Sequence, residues 1–375
     1  MSRNLAAQKR SALERKHRGA LNAHVGFQSI IIDIGASMTK VMVASDQHPR
    51  AVILTPAPVA KAMKSAIAAQ DVEEVVVHFV YRVCSQANVP HTQHTVIVLF
   101  NAVHNKVFEK LVVDTIAANT PHQRVRPMCT QVAALLAHNT NSGIVVDAGY
   151  HSCVALPVVQ DIGSQFDAVS STRGLAFIVE KLRQQILHDN PVFLKNQFHP
   201  TAHLPDAVLL NFLMQYGTIA PPVSDDTLKV GDKAIPASSS RAAMLHAEYP
   251  LTVKTIIVYG KPNLALEHFF SRVPERSSPT DSAAATKVVY DDAEEEAPAA
   301  EKTMQHIFLA ALMRCDPLTL LKDACTSVVL VGGITQLPNF NARFAFEALR
   351  ALKGCTDPER GESMRKVAGS IQMPS

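Results

Sequence analysis

The sequence predicts an α/β fold of two similar halves, and three observations carry that reading. Ile30-Ile31-Ile32-Asp33-Ile34-Gly35-Ala36-Ser37-Met38-Thr39-Lys40-Val41-Met42-Val43 recurs in outline as Ile144-Val145-Val146-Asp147-Ala148-Gly149-Tyr150-His151-Ser152-Cys153-Val154-Ala155-Leu156-Pro157. Each copy has an apolar run of strand length, an Asp-x-Gly turn, a few small or polar residues and a second apolar run, the pattern of a β-hairpin with a carboxylate at its tip. Residues 327–331 form another buried-looking strand, which runs into Gly332-Gly333; Pro338 then sits where a helix starts, and residues 339–352 have helical apolar spacing. Between these landmarks strands alternate with helices, and such helices need parallel strands to cover.

Taken in order, residues 1–26 carry Arg3, Lys9, Arg10, Arg15, Lys16 and Arg18 against the single acid Glu14. That bias fits either a mitochondrial-type presequence or a solvated helical tail. After the first hairpin, residues 51–55 read as a third strand, 72–84 as an amphipathic helix and 95–100 as a buried strand. Residues 105–118 and 131–138 read as helices on either side of a short strand near Val125, and 174–188 as the first long helix of the second half. Residues 273–302 break the pattern with Ser277, Ser278, Pro279, Ser282, an alanine run and six residues, 291–296, of which five are acidic. So little apolar surface predicts a disordered, solvated insertion, with docking of a basic partner as the alternative. The expected organisation is a basic tail (1–26), a first lobe (27–140), a second lobe (141–272 and 303–340) carrying the acidic insertion (273–302), and a C-terminal segment (341–375).

At 375 residues and 47% hydrophobic content the chain is long enough for two lobes with separate cores. Its apolar stretches are too short and interrupted to span a bilayer, so no membrane partner is expected. A net charge of +3, from 36 basic and 33 acidic residues, gives no ground for direct nucleic-acid binding. Cys84, Cys129, Cys153, Cys315, Cys325 and Cys355 are scattered without a C-x-x-C pair, as expected of reduced, mostly buried thiols. His91 and His94 are three apart but lack a second pair nearby, so no zinc site is expected.

The hairpin tips carry the chemistry. Phosphates need backbone N–H donors at close range, and Gly35 and Gly149 open the turns to such an approach. Asp33 and Asp147, at equivalent strand ends, are suited to hold the water shell of a magnesium ion. Lys40 can reach a phosphate oxygen as a point charge. Either turn alone also reads as an ordinary hairpin; two together suggest a duplicated domain with one turn from each half on the phosphates of a nucleotide.

The order hairpin, hairpin, strand-Gly-Gly-x-x-x-Leu-Pro resembles that of the actin, Hsp70 and sugar-kinase ATPase superfamily, and within it the chain resembles actin-related proteins. The likeness covers the two turns, residues 171–187 and residues 331–338, and is weak from about residue 190 to 303. It implies an actin-like fold, two ribonuclease-H-like lobes around a nucleotide cleft, with ATP or ADP and magnesium as cofactor. The implied binding residues are Asp33, Gly35, Ala36, Ser37, Lys40, Asp147, Gly149, Gly174, Gly332 and Gly333, with Asp33 and Asp147 organising the metal. Asp147-Ala148-Gly149-Tyr150, the block from Met304 through Cys315-Asp316-Pro317 to Gly333, and a shortened first-lobe insertion at 49–69 are most similar to the divergent pointed-end actin-related proteins of dynactin.

Departures from actin's pattern shape the expected activity. Actin positions its attacking water with a Gln on the helix before the second hairpin; a gapless count places Thr130 there, and a one-residue offset turns Gln131 about 100° away. Tyr150 stands where the family has its second acid, and His151 where it has the next glycine. Together these imply a degenerate ATPase, a pseudoenzyme with no catalytic residue, in which nucleotide is a structural clamp. The short 49–69 segment removes the loop that grips the next filament subunit, and after Pro338 the family's last strand and terminal helices are missing or unrecognisable. The implied role is a capping subunit in the cytoplasm and cytoskeleton, partnered with an actin-like filament or other actin-related proteins and with dynactin- and dynein-type subunits. The alternatives are an actin-related subunit of a nuclear chromatin-remodelling complex and an active ATPase or kinase.

Overall fold

A computed structural model of the chain describes residues 29–44, 46–65, 71–86, 95–119, 124–163, 167–189, 204–219, 246–251, 254–259, 265–270, 302–315, 318–369 and 371. These form a mixed α/β protein that divides into two units, residues 1–130 and 131–375. The division falls ten residues before the lobe boundary expected at 140. The basic tail and nearly all of the acidic insertion lie outside the described residues.

In the first unit, β1 (Ile30–Ile34), β2 (Met38–Val43), β3 (Ala51–Leu54), β4 (Thr95–Phe100) and β5 (Arg124–Cys129) form one mixed sheet in the order β3-β2-β1-β4-β5. β1 runs antiparallel to β2 and parallel to β4. Alternation places Ile30, Ile32, Ile34, Val41, Val96, Val98 and Phe100 on one face, where all are buried. That face is covered by α2 (Glu73–Gln86), through Val76, Phe79, Val80 and Val83, and by α3 (Lys106–Asn119), through Phe108, Val112 and Ile116. The i, i+3, i+4, i+7 spacing on α2 is the apolar stripe that makes an amphipathic helix pack on a sheet. A short helix, α1 (Ala57–Ala62), was not anticipated; it starts at Pro56 and tucks Val59, Ala60 and Ala62 inward.

The second unit starts within α4 (Thr130–Ala137) and repeats the same frame. β6 (Gly143–Ala148) runs antiparallel to β7 (Cys153–Val159) and parallel to β12 (Val328–Val331), as β1 does to β2 and β4. β8 (Ile162–Gly163) and β9 (Val169–Ser171) both pair with β7. α5 (Leu175–Asp189), α6 (Asp206–Tyr216), α7 (Met304–Met313), α8 (Leu318–Ala324) and α9 (Phe340–Lys353) complete a single core. Phe269, Phe270, Phe308, Phe340 and Phe344 lie at its centre, in edge-on and tilted ring contacts. Arg343 enters this core and is held by Glu347 at 2.8 Å and Glu267 at 3.0 Å, above the ring of Phe270.

Three elements differ from expectation. β10 (His246–Leu251) and β11 (Lys254–Tyr259) form a separate antiparallel pair that was not anticipated. Pro338 does not open α9: Asn339, in a left-handed conformation, is its N-cap, and a turn of 3-10 helix (Gly333–Gln336) comes first. The C-terminal segment contains a helix, α10 (Gly361–Val367), which buries Met364 and Val367 against the second core.

Candidate functional site

Each unit carries one of the two turns, and both close with the same bond. In the first, the Gly35 N–H donates to Met38 O at 3.2 Å; in the second, the Gly149 N–H donates to Ser152 O at 3.0 Å. A side chain at either glycine would collide with that acceptor, the added Cβ lying 2.6 Å from Met38 O and 2.9 Å from Ser152 O. Glycine is therefore required by the turn itself, before any ligand is considered. The register is matched too: Asp33 lies between Lys40 on β2 and Leu99 on β4, and Asp147 between Val154 on β7 and Val331 on β12.

Around the first turn the structure gathers Asp33, Gly35, Ala36, Ser37 and Lys40. Asp33 is half-buried, and burial raises its carboxyl above the usual range while Lys40 opposes the rise. The turn is fastened from behind by a residue the sequence reading missed. Thr55 donates its hydroxyl to Gly35 O at 2.7 Å and its amide to Ser37 O at 2.9 Å. With the Thr55 proton committed, the buried Thr39 hydroxyl donates to Thr55 Oγ1 at 3.0 Å. A threonine at an inward-facing strand position, between buried Val41 and the turn, was the signal that such a partner exists.

The second turn gathers Asp147, Gly149, Gly174, Gly332 and Gly333, and here the glycines differ in purpose. Gly174 packs its Cα on the turn: an added Cβ would sit 2.4 Å from Ser152 N and 2.6 Å from Tyr150 O. That approach lets the first amides of α5 reach the turn, Leu175 N–H donating to Gly149 O at 3.0 Å and Ala176 N–H to Tyr150 O at 2.7 Å. Gly332 has φ +113°, and an added Cβ would come within 2.2 Å of Ala148 O. Gly333 faces open space, with nothing within 4 Å of an added Cβ. Of the paired glycines, one serves the fold and the other leaves a surface a flat ligand can approach.

Tyr150 and His151, which follow Gly149 in the second turn, are engaged with the protein. Tyr150 donates its hydroxyl to Asp206 Oδ2 at 2.7 Å, while Asp206 Oδ1 accepts from Arg183. Arg183 is buried and also donates to Glu180 and to Leu204 O. Burial and the Asp206 bond push the Tyr150 hydroxyl up to about 12. His151 stacks edge-on against Tyr150, with centroids 4.9 Å apart, and its φ is not positive, so the backbone here has no need of glycine.

The one-residue offset takes Gln131 away from the position expected for the attacking water; its buried amide donates instead to Asp147 Oδ2 at 3.4 Å. α4 begins at Thr130, so Gln131 lies in its first turn. Among the described residues no cluster of three or more His, Cys, Asp or Glu side chains can hold a metal on its own. No disulfide joins the six cysteines, and burial raises the thiols of Cys84 and Cys315 to about 11. Among the described residues no helix is long and apolar enough to cross a membrane. No protein-family model matches the sequence, and no curated protein is significantly similar to it.

Proposed function

We propose that the chain is a non-hydrolysing actin-related protein, a nucleotide-binding scaffold of the actin-like class with two ribonuclease-H-like lobes. More particularly, it acts as the pointed-end actin-related subunit of a dynactin-like complex in the cytoplasmic cytoskeleton. Its partners there are an actin-like filament or other actin-related proteins and dynein–dynactin-type subunits. Support for the class comes from the repeated frame of β1, β2 and β4 in β6, β7 and β12, with the two turns closed alike. The observation that carries the loss of hydrolysis is Tyr150, a tether to Asp206 at the position where the family keeps an acid.

ATP or ADP with magnesium is the proposed ligand. The carboxylates of Asp33 and Asp147 suit a metal that keeps its waters, because each sits at a strand end beside a glycine turn. Lys40 and the Gly35–Ser37 turn would serve phosphates, and the open surface at Gly333 a purine. Held this way, nucleotide stabilises the fold by mass action.

Steady-state phosphate release by the wild type and by Tyr150→Asp/His151→Gly tests the reading, together with sedimentation in polymerising salt and purification of native complexes. The expected results are negligible turnover, a monomer at concentrations where actin assembles, and co-purification with dynein–dynactin components. Actin-like turnover or filaments overturn it, and co-purification with remodeller subunits transfers the scaffold to chromatin.

A further inference from the structure

Among the described residues β3 is an edge of the first sheet. Its antiparallel pairing sets Thr39 opposite Ile53, Lys40 opposite Val52 and Met38 opposite Leu54, and the Thr55 amide donates to Ser37 O. In an antiparallel ladder, residues that exchange both bonds alternate with residues that exchange none. Thr55 and Ile53 therefore turn their peptide groups toward β2, while Val52 and Leu54 turn theirs outward. Among the described residues no strand pairs with that outer side.

The side chains on this edge are as unusual as its backbone. Val52 is 54% exposed, Leu54 70%, and Met38, across from Leu54, 43%. All three share one face, because directly paired residues do and positions 52 and 54 are two apart. Protein edges are ordinarily blunted by shortness, charge, proline or a bulge; β3 is short, but Ala51-Val52-Ile53-Leu54 contains no charge and no proline.

We infer that β3 receives an extended segment of a partner protein as an added strand, with apolar residues at alternate positions and an acidic residue beside Val52. Two considerations choose this occupant over a second copy. Self-pairing would join only three exposed apolar side chains per chain, on the order of a few hundred Å², well short of the ~1,200 Å² of a stable interface. A single added strand needs less area, because main-chain bonds supply affinity and alternate side chains supply specificity. The charge preference follows from Lys40, exposed on the same face opposite Val52, whereas Arg50 at the head of the strand is already paired with Asp46 at 2.5 Å. A lysine exposed on this face, whose charge also acts on Asp33 across β2 and β1, favours a carboxylate on the incoming strand.

The test selects displayed random dodecapeptides on the full chain and measures the recovered sequences, as labelled synthetic peptides, by fluorescence anisotropy. Leu54→Lys blunts the edge, and Val52→Pro removes an outward amide without touching a bond to β2. Both sites are exposed, and Leu54→Lys alone decides the matter if Val52→Pro does not fold. The expected result is alternating apolar sequences with an acid, bound about tenfold or more weakly by each variant, and weakened also by Lys40→Met. The proposal is overturned if recovered peptides bind the variants as well as wild type or are predominantly basic. It is also overturned if sedimentation shows self-association that Leu54→Lys abolishes, which would make a second copy the occupant.

Discussion

The hydroxyl of Tyr150 donates to Asp206 Oδ2 at 2.7 Å, so the second turn is tied to the first residue of α6, fifty-six residues further along the chain. Tyr150→Phe removes that bond and nothing else, and is expected to lower stability by about 1 kcal/mol in urea unfolding. Asp206→Ala, which also deprives buried Arg183 of a partner, is expected to cost more. The tyrosine adds a pH signature. Its folded value is raised above the unfolded one, so its contribution is complete below about pH 10 and is lost as pH rises toward about 12. The wild type should lose stability across that window more steeply than Tyr150→Phe; parallel curves would refute the tether.

Burial raises the Asp33 carboxyl above its ordinary value, and the charge of Lys40 opposes the rise. With the folded value raised, the favourable contribution is present below the ordinary carboxylate range and is lost as pH rises through the folded value. Asp33→Asn is thus expected to raise Tm at neutral pH, by roughly 2–5 °C, with the gain shrinking toward pH 4. Lys40→Met should act oppositely, by removing the charge that offsets burial. A Tm for Asp33→Asn below that of the wild type at neutral pH would show the carboxylate to be structural.

The Arg343 cluster gives a third expectation. Glu347 is 3% exposed, and Arg343→Met would take the Arg343 charge away from it and from Glu267. Such a loss costs about 3–5 kcal/mol, whereas Arg343→Met combined with Glu347→Leu replaces the pair by apolar packing and is expected to recover much of it. A single variant no less stable than the double would refute this account.

Gly332 and Gly333 separate fold from ligand. Gly332→Ala places a Cβ at positive φ against Ala148 O and is expected to destabilise by about 2–4 kcal/mol, whereas Gly333→Ala should stay within ~0.5 kcal/mol. Magnesium ATP is expected to raise the Tm of wild type and of Gly333→Ala, and to leave Gly333→Arg unmoved. A shift of equal size in Gly333→Arg would remove the purine from this surface.

The parts of the fold written in local pattern were legible. Strand alternation located β1, β2, β4, β6, β7 and β12, and spacing located α2, α3, α5 and α9 to within a residue or two. The shared turn bond followed from the repeated Asp-x-Gly. What the pattern could not express is long-range. Thr55 reaches Gly35 across twenty residues, Tyr150 reaches Asp206 across fifty-six, and Gln131, in the first turn of α4, meets Asp147. α1 and α10, of six and seven residues, are too short to show a period, so tertiary packing defines them.

The amides of Leu175 and Ala176 end on carbonyls of the second turn rather than in solvent. Neither the turn nor the head of α5 can therefore open alone. The turn between β6 and β7 is pinned to the head of α5, and its amide hydrogens should exchange with deuterium at the pace of the helix. Among the described residues Gly35 in the first turn is stitched by Thr55 and its own closing bond, and no helix amide reaches that turn to set the pace. Two turns of one shape would then keep different clocks, with the first breathing freely and the second moving only when fifteen residues of helix move with it.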